Sequence, residues 1–330
     1  MISSTLTLEK SVFPVDRLSP DLRRRNQVHA VRLGELTTMR IGGPATLVIL
    51  EDRRDLPELL ALPHRWLGRG ANLLVGDQGV PEVVIKLGAA FDTLSLGPVV
   101  EGRALVKVGA GYDLARLIAA TVKAGLAGPE GLAGVPATIG GALRMNAGTS
   151  TSWTLDWVTR VEALLPGESA PRWIERKDVP VTYRSSGLPE GTLFLAAEMS
   201  LASAEPETLR ATSVRLKQAK AASQPLALPS AGCMFKNPSP TMPAGKLIDE
   251  LGLKGLRIGG AEISNVHANF IVNPQRTATV ADVTALVRRI RRTAWLQREI
   301  VMELEVETWD CPAELHAHPN TLLERDACLR

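Results

Sequence analysis

A stretch of glycines and small apolar residues, GPEGLAGVPATIGGALRMNAG, occupies residues 128–148 and carries only two charged side chains, Glu130 and Arg144. Glycine gives up much conformational freedom on folding, so this density indicates a backbone that takes positive φ or lies close against another group. The residues from Ala137 to Gly141 would leave backbone N–H groups open to phosphate oxygens. The chemistry predicted for this stretch is therefore the binding of a nucleotide pyrophosphate.

The competing interpretation of this stretch is a tightly turned, buried crossover in which the glycines only permit close packing. The sequence fits neither G-x-G-x-x-G after a strand nor G-x-x-x-x-G-K-[ST], so neither common phosphate-binding fingerprint explains it. A second glycine-rich segment, LGRGANLLVGDQG at residues 67–79, follows the apolar end of a predicted strand. We predict that this segment is a second ligand loop.

The composition fits a globular protein of two or three domains, because 330 residues with 45% hydrophobic and 22% charged residues can bury proper cores. The 38 basic and 35 acidic side chains are interspersed, which gives no reason to predict a nucleic-acid partner. No apolar run has the length of a membrane span, and the N-terminus lacks a signal-peptide layout, so we expect a cytoplasmic protein. Three cysteines are too few for a disulfide framework, and the Cys and His residues near the C-terminus match no zinc spacing, so no metal is predicted.

The elements that must position these loops alternate between strands and helices. Apolar runs predict strands near residues 45–50, 83–87, 104–108, 158–165, 193–199, 268–272 and 301–308. Helices are predicted at residues 54–62, 113–125 and 244–251 and after Thr279, with Asp113 as an N-cap and a capping-box pair at Thr279 and Asp282. A composition shift into an Ala-rich helix and a proline-punctuated linker marks a domain boundary near residue 201. Residues 1–27 are expected to be a loosely attached extension and residues 310–330 a mobile polar tail.

A set of short motifs together resembles one family, the UDP-N-acetylenolpyruvoylglucosamine reductases, over about residues 30–308 and in the family's order. The motifs are TTMRIGGPA (37–45), LGRGANLLVGDQG (67–79), GLAGVPATIGGALRMNAG (131–148), TYRSS (182–186), AGCMFKNP (231–238), AGKLIDELGLKGLRIGGAEISNVHANFIVN (244–273) and MELEV (302–306). The interval between Arg184 and Cys233 is short, which resembles the family's subtype that lacks an extra loop and a βαββ insertion.

The resemblance implies an α+β fold. A two-subdomain FAD-binding module of the vanillyl-alcohol oxidase type would occupy residues 28–200, with a split near residue 88. A separate α+β domain at residues 201–309 would cover the flavin and bind the substrate.

The resemblance also implies a reaction in peptidoglycan precursor synthesis. Non-covalently bound FAD takes hydride from NADPH and passes it to the enolpyruvyl ether of a UDP-sugar, UDP-N-acetyl-3-O-(1-carboxyvinyl)-glucosamine. The product is UDP-N-acetylmuramate, and a monomer or weak oligomer is expected. The alternatives are an FAD oxidase of related fold acting on a sugar or alcohol, and a nucleotide-binding regulator that has lost catalysis.

Three residues match the family's catalytic motifs. Arg184 would bind the substrate carboxylate, for which a planar guanidinium is suited, and Glu305 would stabilise the enolate. Glu303 and Glu307 share the strand parity of Glu305, so only the motif distinguishes them. Cys233 stands where most members carry the serine that donates a proton. A free thiol has a pKa of about 8.5, so we expect it to keep that role at neutral pH and to be sensitive to oxidation.

The resemblance further assigns binding residues. The predicted FAD contacts are Arg40, Ile41, Gly42, Gly43, Gly68, Gly70, Ala71, Asn72, Leu73, Gly134, Val135, Pro136, Ala137, Thr138, Gly140, Gly141, Asn146, Ala147 and Gly148. The predicted substrate contacts are Tyr183, Lys236 and Asn237. The family often places a diphosphate-binding lysine directly before Gln-Pro, where this chain has Ser223, and Lys220 is the candidate replacement.

Overall fold

A computed structural model of the chain describes residues 12–149 and 151–318. Two subdomains, each built on its own sheet, are followed by a C-terminal α+β domain. Short 3-10 turns lie at Val15–Arg17, Arg53–Asp55, Ala89–Phe91, Pro129–Leu132, Thr154–Asp156, Arg176–Asp178 and Ala313–Leu315. Among the described residues, no helix is long and apolar enough to cross a membrane.

The first subdomain is organised around a sheet with the strand order β1-β2-β5-β3. Its elements are α1 (Pro20–Arg25), β1 (Gln27–Arg32), α2 (Leu33–Leu36), β2 (Pro44–Leu50), α3 (Leu56–Leu60), β3 (His64–Trp66), β4 (Leu73–Val75) and β5 (Val83–Leu87). Strands β2 and β5 are parallel neighbours, and their apolar runs bury Val48, Leu50 and Ile85, because parallel strands are covered on both faces. The strands predicted at residues 45–50 and 83–87 are confirmed.

The segment before β1 packs into the first subdomain, so the prediction of a loosely attached extension at residues 1–27 is wrong for its described part. Phe13, Leu18 and Leu22 are buried in the same apolar cluster as the core residues of the sheet. These apolar residues lie among prolines and arginines without a regular period, which is why the pattern gave no sign of a core contact. Residues 1–11 of the predicted extension lie outside the described residues.

The second subdomain is built on a larger antiparallel sheet with the order β10-β9-β11-β7-β6, in which β8 also pairs with β11. Its elements are β6 (Leu94–Val100), β7 (Arg103–Gly109), α4 (Leu114–Lys123), β8 (Leu126–Ala127), α5 (Ile139–Arg144), β9 (Val158–Leu164), β10 (Arg172–Glu175) and β11 (Leu193–Ser203). The Asp113 side chain caps α4, as predicted, and Gly125 follows the helix with φ 65. Because β11 runs on to Ser203, the boundary predicted near residue 201 falls inside a strand of this sheet.

The C-terminal domain places a short sheet, β12-β15-β14-β13, against helices. Helix α6 (Pro206–Ser223) leads into it and buries Leu209 in the core of the second subdomain. The elements that follow are β12 (Ser230–Cys233), α7 (Ala244–Glu250), β13 (Arg257–Ile258), β14 (Ala261–Ile263), β15 (Phe270–Val272), α8 (Val280–Arg298) and β16 (Glu307–Trp309). Helix α8 begins at the predicted capping box of Thr279 and Asp282, and it buries Val283, Leu286 and Ile290 on one face.

The last strand of the chain belongs to the first subdomain by its pairing. Only Glu307–Trp309 is a strand, and it runs parallel to β4 in a two-stranded sheet, so the strand predicted at residues 301–308 is too long. Residues 301–306 instead make single contacts with the segment after Cys233, which includes a bridge between Phe235 and Leu304. This crossing fixes the C-terminal domain beside the second glycine-rich loop.

The described part of the predicted tail is also held in place. Leu315 is fully buried in the core of the C-terminal domain, and the buried guanidinium of Arg291 donates to the carbonyls of Met302 and Leu315. The prediction of a mobile polar tail from residue 310 is therefore wrong up to His318. Cys328 lies outside the described residues.

The two domains share a buried seam. Met39 and Ile41, from the first subdomain, lie within the apolar core of the C-terminal domain, and the side-chain amide of Asn273 donates to the Met39 carbonyl. The Ile41 side chain therefore points into that core, which corrects its prediction as an FAD contact and leaves only its backbone for that role.

Candidate active site

Arg184 and Glu305 meet in an ion pair at the junction of the domains. Arg184 Nε lies 2.9 Å from Glu305 Oε1, and the two side chains are only 24% and 12% exposed. Arg184 Nη1 also donates to the carbonyl of Gly148 at 3.0 Å, so the end of the glycine-rich stretch orients the guanidinium. Arg184 has a left-handed φ of 57, a conformation that a non-glycine residue adopts at a cost of about 1–3 kcal/mol. The structure thus brings together two of the three predicted catalytic residues.

The backbone of Glu305 is held between two loops. Its N–H donates to the carbonyl of Met234 at 2.9 Å, and its carbonyl accepts the side-chain amide of Asn72 at 3.0 Å. The Lys236 N–H donates to the carbonyl of Glu303 at 2.9 Å, so the segment after Cys233 runs alongside the segment that carries Glu305. The acid, the thiol and the loop with the predicted FAD contacts are therefore parts of one hydrogen-bonded assembly.

Asn269 fixes the turn after the thiol, and the sequence argument gave it no role. It is 3% exposed, its Oδ1 accepts the N–H of Phe235 at 2.9 Å, and its Nδ2 donates to the Phe235 carbonyl at 2.8 Å. Its backbone carbonyl accepts the N–H of Met234 at 2.7 Å. A polar residue within HANFIVN is the only sequence signal that could have indicated this function.

Cys233 ends β12 and faces this cluster. Burial raises the pKa of its thiol to about 12, and the negative charge of Glu305 acts in the same direction, whereas Arg184 and Lys220 oppose it. The expectation of an ordinary thiol with a pKa of about 8.5 is therefore wrong. The group is still a proton donor, because it holds its proton throughout the neutral range.

The pKa values of Glu305 and Tyr183, both of which lie beside Arg184, are raised above their ordinary values. Burial raises the pKa of Glu305, and the field and hydrogen bonding of Arg184 lower it in part. Burial likewise raises the pKa of Tyr183. The Tyr183 ring lies 5.3 Å from the Arg184 guanidinium carbon and remains 55% exposed, so it can contact a ligand that enters above the ion pair.

Lys220, on α6, is a cation without a partner beside this cluster. Its Cδ lies 3.3 Å from the position a Cβ would take on Gly134, so its stem covers the glycine-rich stretch. Within the described residues its ammonium forms no hydrogen bond or ion pair, and burial lowers its pKa. Its field reaches both Cys233 and Arg184. A half-buried cation that has no partner among the described residues is suited to an anionic part of a ligand.

The two glycine-rich loops face each other. A Cβ on Gly68 would lie 2.9 Å from Thr138 Oγ1, and Gly70 has φ 62 at a place where a Cβ would lie 2.5 Å from the Leu36 carbonyl oxygen. The backbone N–H groups of residues 68–72 donate to no group in the described part of the chain. Half-buried N–H groups need partners, so this loop fits the pyrophosphate of FAD.

The opposite loop offers fewer donors than the sequence predicted. The N–H groups of Ile139 and Gly140 donate to the carbonyls of Tyr112 and Ala110 at 2.9 and 2.8 Å, and the Gly141 N–H donates to Thr138 Oγ1. Close packing of this stretch, the competing interpretation, therefore explains part of its glycine content.

Several predicted contacts have other partners in the structure. Asn146 Oδ1 accepts the N–H of Leu155, and Gly148 packs against Trp153. Arg40 is exposed and donates to the carbonyl of Glu35. Among the predicted substrate contacts, Lys236 Nζ lies 3.4 Å from Glu303 and Asn237 Oδ1 accepts the first N–H of α7, from Ala244.

Two facing glycine-rich loops, of which the one at residues 68–72 has free N–H groups, and a half-buried Arg–Glu–Cys cluster held beside them by a second domain define an FAD-binding oxidoreductase. A family model described as FAD binding domain matches residues 44–172, and one described as UDP-N-acetylenolpyruvoylglucosamine reductase, C-terminal domain, matches residues 224–309.

The chain is similar to bacterial enzymes over most of its length. It is 42% identical to the UDP-N-acetylenolpyruvoylglucosamine reductase of Thermus thermophilus over 283 aligned residues. The alignment covers 86% of this chain and 99% of that protein. The protein of the same name from Bacillus subtilis is 37% identical, with 83% and 91% covered. The crystal structure of the Thermus caldophilus enzyme superimposes with a TM-score of 0.76 at 40% identity, over 86% of this chain and 99% of that one. The chain belongs to the UDP-N-acetylenolpyruvoylglucosamine reductase family. The predicted fold class, an FAD-binding module of the vanillyl-alcohol oxidase type with a C-terminal α+β domain, is confirmed.

Proposed function

We propose that this protein reduces the enolpyruvyl ether UDP-N-acetyl-3-O-(1-carboxyvinyl)-glucosamine to UDP-N-acetylmuramate at the expense of NADPH. The observation that carries the proposal is the contact of Arg184 with Glu305, beside the thiol of Cys233 and the loop at residues 68–72. FAD, held by the loops at residues 68–73 and 134–141, would supply hydride transfer from NADPH to the substrate.

Arg184 and Glu305 stabilise the negative charge that hydride addition creates on the substrate. Hydride addition to the terminal vinyl carbon leaves an electron pair on the neighbouring carbon, delocalised into the carboxylate. Arg184 binds that carboxylate through its planar guanidinium, and a protonated Glu305 donates a hydrogen bond to the oxygen that gains charge. The raised pKa of Glu305 supports the protonated form in this role.

Cys233 completes the addition. A new C–H bond forms as the thiol proton passes to the carbon that holds the electron pair, and the S–H bond breaks. The resulting thiolate lies within the field of two cations, Arg184 and Lys220, until it takes up a proton from water. General acid catalysis of this kind contributes about 10²–10⁴ in rate.

Lys220 is proposed to pair with the substrate diphosphate in place of the missing lysine at Ser223, and Tyr183 to contact the substrate above Arg184. A monomer or weak oligomer is proposed as the active unit. We place the protein in the cytoplasm, where both NADPH and a nucleotide sugar are available.

The decisive experiment is anaerobic. The purified yellow protein is reduced with one equivalent of NADPH, and the enolpyruvyl substrate is then added while the flavin spectrum is recorded. Return of the oxidised spectrum with formation of UDP-N-acetylmuramate supports the proposal. A flavin that stays reduced contradicts it, and rapid reoxidation by oxygen without the substrate indicates an oxidase.

A further inference from the structure

A cleft of about 390 Å³ opens at the seam between the first subdomain and the C-terminal domain. Three arginines line it from three segments: Arg32 at the end of β1, Arg40 in the loop before β2, and Arg276 in the turn before α8. The lining includes Arg40, Ile41 and Gly42, which the family resemblance assigned to FAD, but none of the residues at positions 68–73 and 134–141 proposed to hold FAD and none of the catalytic cluster. The cleft is therefore distinct from those two loops and from the catalytic cluster.

The guanidinium groups in this cleft lack carboxylate partners. Within residues 12–149 and 151–318, Arg32, Arg40 and Arg276 form no ion pair, whereas many other arginines of the chain do, such as Arg172 with Glu168 at 3.0 Å. Two carboxylates also line the cleft, Glu35 and Asp77. Asp77 accepts the N–H of Val280 at 3.0 Å and its field partly offsets the charge of Arg32, so the three guanidinium groups and two carboxylates leave the lining with an excess of one positive charge.

One buried residue holds two of the arginines in place. Asn273 is fully buried, and its amide donates to the carbonyl of Met39, the residue before Arg40, at 3.1 Å. Its own carbonyl accepts the N–H of Arg276 at 3.1 Å. Asn273 thus fixes the backbone next to Arg40 on one side of the domain boundary and the backbone of Arg276 on the other.

The backbone of both arginines is strained. Arg40 has φ 61 and Arg276 has φ 58, in the left-handed region that costs a non-glycine residue free energy. Glycine would fit either position at lower cost. Arginine recognises phosphate oxygens bidentately, and a cleft of this size has room for two phosphate groups.

We propose that the cleft at the domain seam binds a phosphate-bearing anion through Arg32, Arg40 and Arg276. The ligand class is a diphosphate, either as the free anion or as the diphosphate of a nucleotide. Because a bound anion would contact both domains, its binding would stabilise their association. This inference does not depend on the reaction proposed above, because its test measures binding.

The test uses the FAD-loaded protein. Inorganic pyrophosphate and ADP are titrated by calorimetry and by thermal unfolding, against sodium chloride of equal ionic strength. We expect one saturable site and a rise in Tm. Arg40→Gly and Arg276→Gly should fold normally, because glycine suits a left-handed backbone, and should each weaken binding about tenfold or more. Arg172→Ala, which removes an exposed arginine elsewhere, should bind like the parent protein.

The outcomes distinguish a site for the free anion, a site for a nucleotide, adventitious ion binding and binding at the active site. Equal affinity for pyrophosphate and ADP assigns the free anion, and tighter binding of ADP that is lost in the same variants assigns a nucleotide. Equal weakening in Arg172→Ala, or no weakening in either glycine variant, means an adventitious ion only and overturns the proposal. Binding that survives both glycine variants but is displaced by the UDP-sugar belongs to the active site and also overturns it.

Discussion

Arg184 Nε and Glu305 Oε1 lie 2.9 Å apart, so the residue proposed to bind the substrate carboxylate is paired with a carboxylate of the protein itself. An ionised Glu305 competes with the substrate for the guanidinium, whereas a protonated Glu305 releases it and can donate a hydrogen bond. With the roles proposed for these two residues, the protonation state of Glu305 would control both substrate binding and catalysis.

The first prediction concerns this pH dependence. Burial raises the pKa of Glu305, so the active protonated form predominates below the raised value and disappears as the pH rises through it. We expect kcat/KM for the UDP-sugar to fall in that direction, above the ordinary glutamate range of about 4.3. Glu305→Gln should remove this dependence and lower kcat about 10²–10³-fold. Glu303→Gln, at an exposed side chain two residues away, should keep the profile, and an unchanged profile in Glu305→Gln would contradict the assignment.

The second prediction separates the half-reactions. Cys233→Ala should leave the reduction of flavin by NADPH unchanged and slow the oxidation of flavin by the enolpyruvyl substrate about 10²–10⁴-fold, because only the second half-reaction needs the proton. Cys233→Ser should remain active, since a hydroxyl can donate from the same position. Stopped-flow measurement of each half-reaction tests this, and equal losses in both halves of the alanine variant would remove Cys233 from the chemistry.

The third prediction is that the Cys233 thiol reacts slowly. With a pKa of about 12, its thiolate fraction at neutral pH is on the order of a thousandfold below that of an ordinary cysteine. Iodoacetamide labelling, followed on the Cys233 peptide by mass spectrometry, should be correspondingly slower in the folded protein than in guanidinium chloride. Labelling at similar rates in both states would contradict the raised pKa and would favour the oxidation-sensitive thiol that the sequence predicted.

The sequence predicted elements whose signals are local. The N-cap at Asp113 and the capping box at Thr279 fixed the starts of α4 and α8, because each depends on residues within one turn. The three predicted catalytic positions came from short motifs, and the structure pairs Arg184 with Glu305 and places Cys233 within the field of both. Local signals of this kind predicted the fold class, whereas the catalytic roles stay predictions.

What the sequence missed depends on contacts between distant segments. Glu305 is held by Met234 and Asn72, and no periodic pattern predicts such pairing, so the predicted strand at residues 301–308 was too long. The Ile41 side chain turned away from the flavin loops because the C-terminal core, absent from any local pattern, buries it. The raised pKa of Cys233 likewise arises from burial by residues far away in the chain.

The fourth prediction tests Lys220 as the diphosphate contact. Lys220→Met removes an ammonium that has no partner among the described residues, so KM for the UDP-sugar should rise about tenfold, which is a loss of ~1.4 kcal/mol of binding. Adding Ser223→Lys, at the end of the same helix, should recover the loss by restoring the lysine at the family's usual position. Lys246→Met, at an exposed residue paired with Glu250, should have no effect. A rise in KM that Ser223→Lys does not reverse would argue for a structural function of Lys220 instead.

The fifth prediction concerns the C-terminal segment, which the sequence argument treated as dispensable from residue 311. Ending the chain after Asp310 removes Leu315, whose burial contributes about 1.5–3 kcal/mol, and takes from the buried Arg291 its carbonyl acceptor at Leu315, at a cost of about 1–3 kcal/mol. Because Arg291 also binds the Met302 carbonyl at the start of the Glu305 segment, this truncation should lower both Tm and the rate of the second half-reaction. A chain ending at His318 keeps these contacts and is the matched control, and Leu315→Ala should reproduce part of the loss in Tm. Full stability and activity in the chain that ends at Asp310 would show that Leu315 and its bond to Arg291 do not support the site.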